Sequence, residues 1–107
     1  MSIFLNDWSD SGISGLMGDF KISKETLENT NILFASYTYE DYSGSAFVLF
    51  EEDNKFYEVN GSHCSCYGLE GQWEPEEINL TELKKRVDTH YCFEGYREEL
   101  RDLLNTL

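Results

Sequence analysis

Basic residues are scarce in this chain. Eight Lys and Arg stand against twenty-one Asp and Glu in 107 residues, a formal charge of −13. That balance excludes direct binding to DNA, RNA or anionic lipid, all of which demand cationic side chains against phosphate. Long apolar runs are missing as well. No stretch approaches the roughly 18 apolar residues that cross a bilayer, so no membrane association is expected. The start, Met1-Ser-Ile-Phe-Leu-Asn-Asp-Trp8, has neither a basic n-region nor more than a three-residue apolar run. It does not read as a secretory leader, and a cytoplasmic location is expected. Proline occurs once, at Pro75, and no linker, repeat or low-complexity tract divides the chain, which reads as a single domain over 1–107. Cysteine is sparse and odd in number: Cys64, Cys66 and Cys92. Two of them are too close for an easy mutual bridge, so in a reducing cytosol they are thiols or metal ligands rather than staples.

Two recognisable loops are also lacking. Gly12, Gly15 and Gly18 have no flanking strand and no Lys-Ser/Thr partner, which excludes a phosphate-cradling loop. The acid clusters lack the alternating Asp/Asn spacing with a twelfth-position Glu that a calcium loop needs. What is abundant is aromatic: 15% of residues are Phe, Trp or Tyr. Acidic disordered tails have few aromatics, so this chain folds and holds its acids in defined places.

The spacing predicts an α+β fold, an antiparallel sheet of three or four strands followed by two C-terminal helices packed on one face. Residues 6–20, rich in Asn, Asp, Ser and Gly, read as a long loop pinned by Trp8, Ile13, Leu16 and Met17. A short helical turn capped by Ser23 follows. Residues 32–39, 45–51 and 55–59 read as a three-stranded meander, with turns around 41–44 and 52–54. Both alternating sets of the second strand are apolar, Ala46, Val48 and Phe50 on one side and Phe47 and Leu49 on the other, which predicts a central strand covered on both faces. Asn60-Gly61 reads as a turn and 62–78 as an irregular segment. A helix over about 80–87 has Asn79 or Thr81 as its cap. Another, from about 94 to the C-terminus, carries Tyr96, Leu100, Leu103, Leu104 and Leu107 on one stripe.

Three constellations could carry chemistry. Cys64, Cys66, His90 and Cys92 offer three thiolates and an imidazole, a donor set zinc accepts. If residues 63–66 are extended, the first two thiols share a face. Structural zinc sites usually place about two to four residues between paired ligands, and these pairs have one between them. The alternative is that the cysteines are small buried hydrophobes. The second constellation is a cysteine nucleophile, Cys64 or Cys66 with His90 as base and Gly61 or Gly68 supplying N–H groups. Nothing local sets those residues apart.

The third constellation is the acidic surface. Residues 1–83 hold sixteen acids and three bases, Lys21, Lys24 and Lys55, whereas 84–107 hold five of each. The acids come in groups: Asp7 and Asp10; Glu40 and Asp41; Glu51, Glu52 and Asp53; Glu70, Glu74, Glu76, Glu77 and Glu82. Acids two apart on a strand lie roughly 6.6 Å apart on one face, a spacing at which a rigid array can imitate a phosphate backbone and occupy a basic groove. Tyr37, Tyr39, Tyr42, Tyr57 and Trp73 lie among them as candidate anchors. Solubility alone asks for a net charge of only about 2–8 in a small domain, and a larger excess costs stability through self-repulsion.

The stretch Gly61-Ser-His-Cys-Ser-Cys-Tyr-Gly-Leu-Glu-Gly-Gln-Trp-Glu-Pro-Glu-Glu77, with the apolar hairpin before it, resembles a segment of small acidic phage and prophage proteins. The likeness runs over about residues 37–83 and brings no reaction or catalytic residue with it. It implies a mobile-element origin, a host-cell cytoplasm, and a class in which small acidic proteins block host defence or nucleic-acid enzymes, anti-CRISPR proteins among them. The expected function is therefore a non-enzymatic inhibitor of a basic host protein, a CRISPR effector or another nucleic-acid-binding defence protein. Its binding residues would be Glu40, Asp41, Tyr42, Glu51, Glu52, Asp53, Trp73, Glu74, Glu76 and Glu77. The alternative is a small zinc-stabilised binding module without nucleic-acid mimicry.

Overall fold

The computed structural model describes residues 3–6, 8–40, 43–64, 69, 71–89 and 96–106, with the backbone alone for 39, 40, 43, 63 and 64. The chain divides into two compact units, Met1–Glu77 and Ile78–Leu107.

The first unit is built on a five-stranded sheet in the order β1-β2-β3-β4-β5: β1 (Ile3–Asn6), β2 (Asn31–Glu40), β3 (Ser43–Glu52), β4 (Lys55–Cys64) and β5 (Glu76–Ile78). The expected meander is present at β2-β3-β4, with antiparallel registers running from Asn31↔Glu51 to Glu40↔Ser43 and from Ser43↔Cys64 to Glu52↔Lys55. The expectation of three or four antiparallel strands needs two corrections. The sheet has five strands, and β1 pairs parallel to β2, with Ile3 opposite Phe34 and Asn6 opposite Tyr37. A parallel neighbour requires a crossover rather than a hairpin, and the chain between β1 and β2, described from residue 8 to residue 30, supplies it.

That crossover contains α1 (Gly12–Phe20) and a 3-10 turn (Lys24–Leu27). Residues 6–20 read as a loop from their Asn, Asp, Ser and Gly content, and a glycine inside a helix costs about 1 kcal/mol relative to Ala. Ile13, Leu16, Met17 and Phe20 nevertheless fall at i, i+3, i+4 and i+7, and burial of Leu16 and Phe20 outweighs the poor propensity. Gly15 permits a close approach: a Cβ there would stand 2.8 Å from Ser11 Cβ and 3.0 Å from Trp8 Cδ1. Lys21, left-handed at φ 59°, ends the helix, and the Ile22 N–H returns to the Met17 carbonyl at 3.1 Å. The turn at 24–27 is where the sequence places it. Ser23 makes no capping bond to the backbone, and its hydroxyl lies 3.2 Å from that of Thr26.

The core forms on one sheet face. Ile32, Ala35 and Tyr37 from β2, Ala46, Val48 and Phe50 from β3, and Val59 from β4 join Trp8, Leu16, Phe20, Leu27 and Leu69. Strict alternation would send Ile32 and Ala35 to opposite faces. A bulge between Ile32 and Phe34 leaves Leu33 unmatched and turns both inward. The other face of the sheet carries Phe34, Phe47 and Leu49, all buried, with the rings of Phe34 and Phe47 edge to face at 6.2 Å. β3 is thus central and covered on both sides, as its double apolar pattern predicts. Buried Glu58, 4% exposed, stands opposite Leu49 on that second face.

A run of aromatic contacts crosses the core. Tyr57 stacks on Phe50 at 5.3 Å and Trp73 stacks on Phe50 at 5.8 Å. Trp73 meets the edge of Phe20 at 5.2 Å; Phe20 lies 5.9 Å from Trp8, and Trp8 lies 5.2 Å from Tyr37. The Trp8 indole N–H donates to Asp19 Oδ2 at 2.7 Å, so its one polar atom is satisfied.

Asn60-Gly61, expected as a turn, continues β4 to Cys64. Gly61 lies opposite Ala46, and a Cβ on it would press to 2.9 Å from Leu69 Cδ2 and 3.4 Å from Gln72 Oε1. Of the segment expected to be irregular, Leu69 is buried over Gly61 of β4, the Trp73 ring lies on Phe50 of β3, and the last residues become β5.

The second unit holds α2 (Leu80–Thr89) and α3 (Arg97–Thr106). Asn79 is the cap of α2, its Oδ1 accepting the Thr81 N–H at 2.8 Å. The two helices touch. Leu83, Val87, Leu100 and Leu104 are buried, Arg97 Nε donates to the Val87 carbonyl at 2.6 Å, and Arg101 bridges to Asp88 at 2.7 Å. No helix among the described residues is long and apolar enough to cross a membrane.

Two substitutions test this packing. Phe50→Ala removes the ring between Tyr57 and Trp73 and is expected to cost about 3–5 kcal/mol. Gly61→Val overfills the site under Leu69 and is expected to cost about 1–3 kcal/mol. Urea unfolding followed by Trp fluorescence reads both, and wild-type midpoints would contradict the packing described.

Candidate partner-binding surface

The β3–β4 hairpin is the tightest kind two strands permit. Asp53 and Asn54 lie between the paired Glu52 and Lys55, both left-handed at φ 54° and 65°. Two left-handed central residues make a type I′ turn, whose twist matches the strands, and Asp and Asn tolerate it better than most side chains. The turn places exposed Asp53 at the tip with half-buried Glu51 and Glu52 behind it.

Neighbouring segments bring further acids to this end of the sheet. Across β4, Lys55 Nζ lies 3.5 Å from Glu77 Oε1, which sets β5 and exposed Glu76 and Glu77 beside the hairpin. Exposed Glu74 follows Trp73, whose ring lies on Phe50, two residues inside the same hairpin. On the β2 side, Thr30 Oγ1 donates to Glu52 Oε1 at 3.3 Å and the Thr30 N–H bonds the Leu27 carbonyl at 3.1 Å. The end of the crossover is thereby tied to the hairpin, and exposed Glu25 and Glu28 come with it. The sequence offers no signal for these last two, because more than twenty residues separate them from Glu51.

Not all the expected residues gather here. Glu40 pairs with Ser43 at the opposite end of β2, roughly 30 Å away along a ten-residue strand. Asp41 and Tyr42 lie outside the described residues. Tyr37, a candidate anchor from its position among acids, is 7% exposed and belongs to the core against Trp8. Alternation within β2 turns it inward. Trp73 is half-buried with its ring committed to Phe50 and Phe20, and Tyr57 is half-buried on Phe50. Both hold the acidic segments in place from beneath.

The proposed zinc ligands fall mostly beyond view. Cys64 ends β4 opposite Ser43, at the same end as Glu40, while Cys66, His90 and Cys92 lie outside the described residues, as does Gly68. Among the described residues no three His, Cys, Asp or Glu side chains are grouped to hold a metal ion.

Gln72 braces β4 toward the other end of the sheet, where Ser62 lies opposite Ser45. Its Nε2 donates to the Ser62 carbonyl at 2.7 Å and its Oε1 accepts the Ser62 N–H at 2.8 Å. One side-chain amide thus takes both bonds that a neighbouring strand would make and closes part of the β4 edge.

No family model, no curated protein and no solved structure matches this chain.

Replacing Gln72 by Ala should release the Ser62 amide. Hydrogen exchange at Ser62 is expected to rise about tenfold, the effect of losing one ordinary hydrogen bond, while exchange in the centre of β3 stays unchanged. Unaltered exchange at Ser62 would contradict the bridging role.

Proposed function

We propose that this protein is a non-enzymatic binder whose acidic sheet end occupies the nucleic-acid-binding surface of a basic partner protein. The observation that carries the reading is the convergence of Glu51, Glu52 and Asp53 with Glu76 and Glu77 on one rigid end of the sheet. Lys55, the base within that group, is already engaged by Glu77. A hairpin closed by a two-residue turn and an aromatic stack holds the carboxylates in a fixed arrangement, so few degrees of freedom are lost when cations meet them. A partner built to bind phosphate presents Lys and Arg at similar spacing and releases its counterions to either ligand. We further propose, from the resemblance expected of residues 37–83 to small acidic phage proteins, that the partner class is a host defence protein, a CRISPR effector being one such.

Long-range attraction speeds the encounter and salt screens it. Joint reversal of Glu51, Glu52 and Asp53 to Lys should slow association with a captured basic nucleic-acid-binding protein about tenfold or more at low salt. Glu40→Lys, at the far end, should have little effect. The chain should also displace nucleic acid from that partner, and raising the salt should weaken the complex. Association rates that are indifferent to the triple reversal and to salt would sink the reading.

A further inference from the structure

The crossover between β1 and β2 leaves a groove between α1 and the 3-10 turn that the acidic end does not include. It is open, about 790 Å³, with Leu27 buried at its base and Met17 and Ile13 along its helix side. Ile13 is 44% exposed, the one large hydrophobic so exposed among the described residues. Lys24, Glu25 and Glu28 form its charged rim, net negative and exposed. The rim is continuous with the acidic end, since Glu28 lies two residues before Thr30, whose hydroxyl is bonded to Glu52.

We infer that this groove receives a cationic amphipathic segment of the partner, one aliphatic side chain seated among Ile13, Met17 and Leu27 while its Lys or Arg residues meet Glu25, Glu28 and Glu52. The inference rests on the acidic end being a partner-binding surface and adds the apolar half of the contact. Charge decides among possible occupants. A second copy of the chain brings another −13 to a rim that is already negative. A small apolar ligand would want an enclosing pocket with convergent polar groups, and here the charged side chains stand outward around an open trough. A basic segment satisfies both halves: its apolar stripe covers Ile13, and its cations face the rim, the arrangement in which an amphipathic helix lies in a groove.

The test uses the full chain with two labelled synthetic peptides, one with Leu and Lys at amphipathic helical spacing and one with every Leu replaced by Ser at the same charge. Fluorescence anisotropy reads affinity, and sedimentation reads association state. The amphipathic peptide should bind wild type more tightly than the Ser peptide. Ile13→Asp should weaken the amphipathic peptide about tenfold, the effect of losing one buried aliphatic contact, and should leave the Ser peptide nearly unaffected. Joint Glu25→Lys and Glu28→Lys should weaken the amphipathic peptide to a similar degree. Equal binding of that peptide to wild type and Ile13→Asp would overturn the groove assignment. If reversal of Glu51, Glu52 and Asp53 still abolished binding in that case, the acidic-end reading would survive alone. Failure of both peptides to bind would remove both readings. A wild-type dimer that Ile13→Asp dissolves would assign the groove to a second copy and overturn the inference.

Discussion

The stacking of Trp73 and Tyr57 on Phe50 is the contact on which the rest of the first unit depends. Phe50 is on the central strand, one step from the end where β2, β3 and β4 are in register. Tyr57 reaches it from β4 and Trp73 from the segment after it. Through Trp73 the stack continues to Phe20 and so to α1. One ring therefore ties together the sheet, the crossover helix and the chain that leads into β5. The face-to-face contacts add to the area these rings bury, and three large rings in one stack are difficult to replace by smaller groups without leaving a void.

Charge placement follows from that packing. A formal charge of −13 on a small fold is a source of strain, because like charges repel in the folded state more than in an expanded chain. The fold accommodates it by distance. Glu40 stands at one end of β2, while Glu51, Glu52 and Asp53 stand at the other with β5 alongside. The density at the hairpin end is held there by two inward-facing devices, the Phe50 stack and the Thr30 hydroxyl on Glu52. The stack holds the strands from the apolar side, Thr30 engages the Glu52 carboxylate itself, and Asp53, Glu76 and Glu77 stay exposed to water.

The proposed function assigns this surface to recognition. On that reading its carboxylates would supply the long-range field that steers a basic partner. The adjoining groove, on the inference drawn from it, would add what a purely electrostatic contact lacks, an apolar element that is insensitive to salt and gives orientation. The two features meet at Thr30, where the end of the crossover is bonded to the hairpin.

Much of the fold was legible in order of sequence. Strand β3 announced its central place by apolar residues on both alternating sets, and α2 was marked by Asn79 and by Leu83 and Val87 on one face. Helix α1 was hidden because its glycines argue against helix locally, while the burial of Leu16 and Phe20 that favours it is a tertiary quantity. Gly61 read as a turn for the same reason: beside Asn60 it has turn chemistry, but Leu69 needed the space its missing side chain leaves. The parallel seat of β1 has no local signature, since it depends on a crossover. What the sequence by itself determined was the sign and amount of charge, the β-rich centre and the faces of the later helices, because composition and short-range period suffice for these. Only the tertiary structure decided which acids stand together. Ladder register parts Glu40 from Glu51 by the length of a strand, and the Thr30 hydroxyl ties the end of the crossover to Glu52 across more than twenty residues; such distances are set by hydrogen-bonded pairing and core packing rather than by position in the chain.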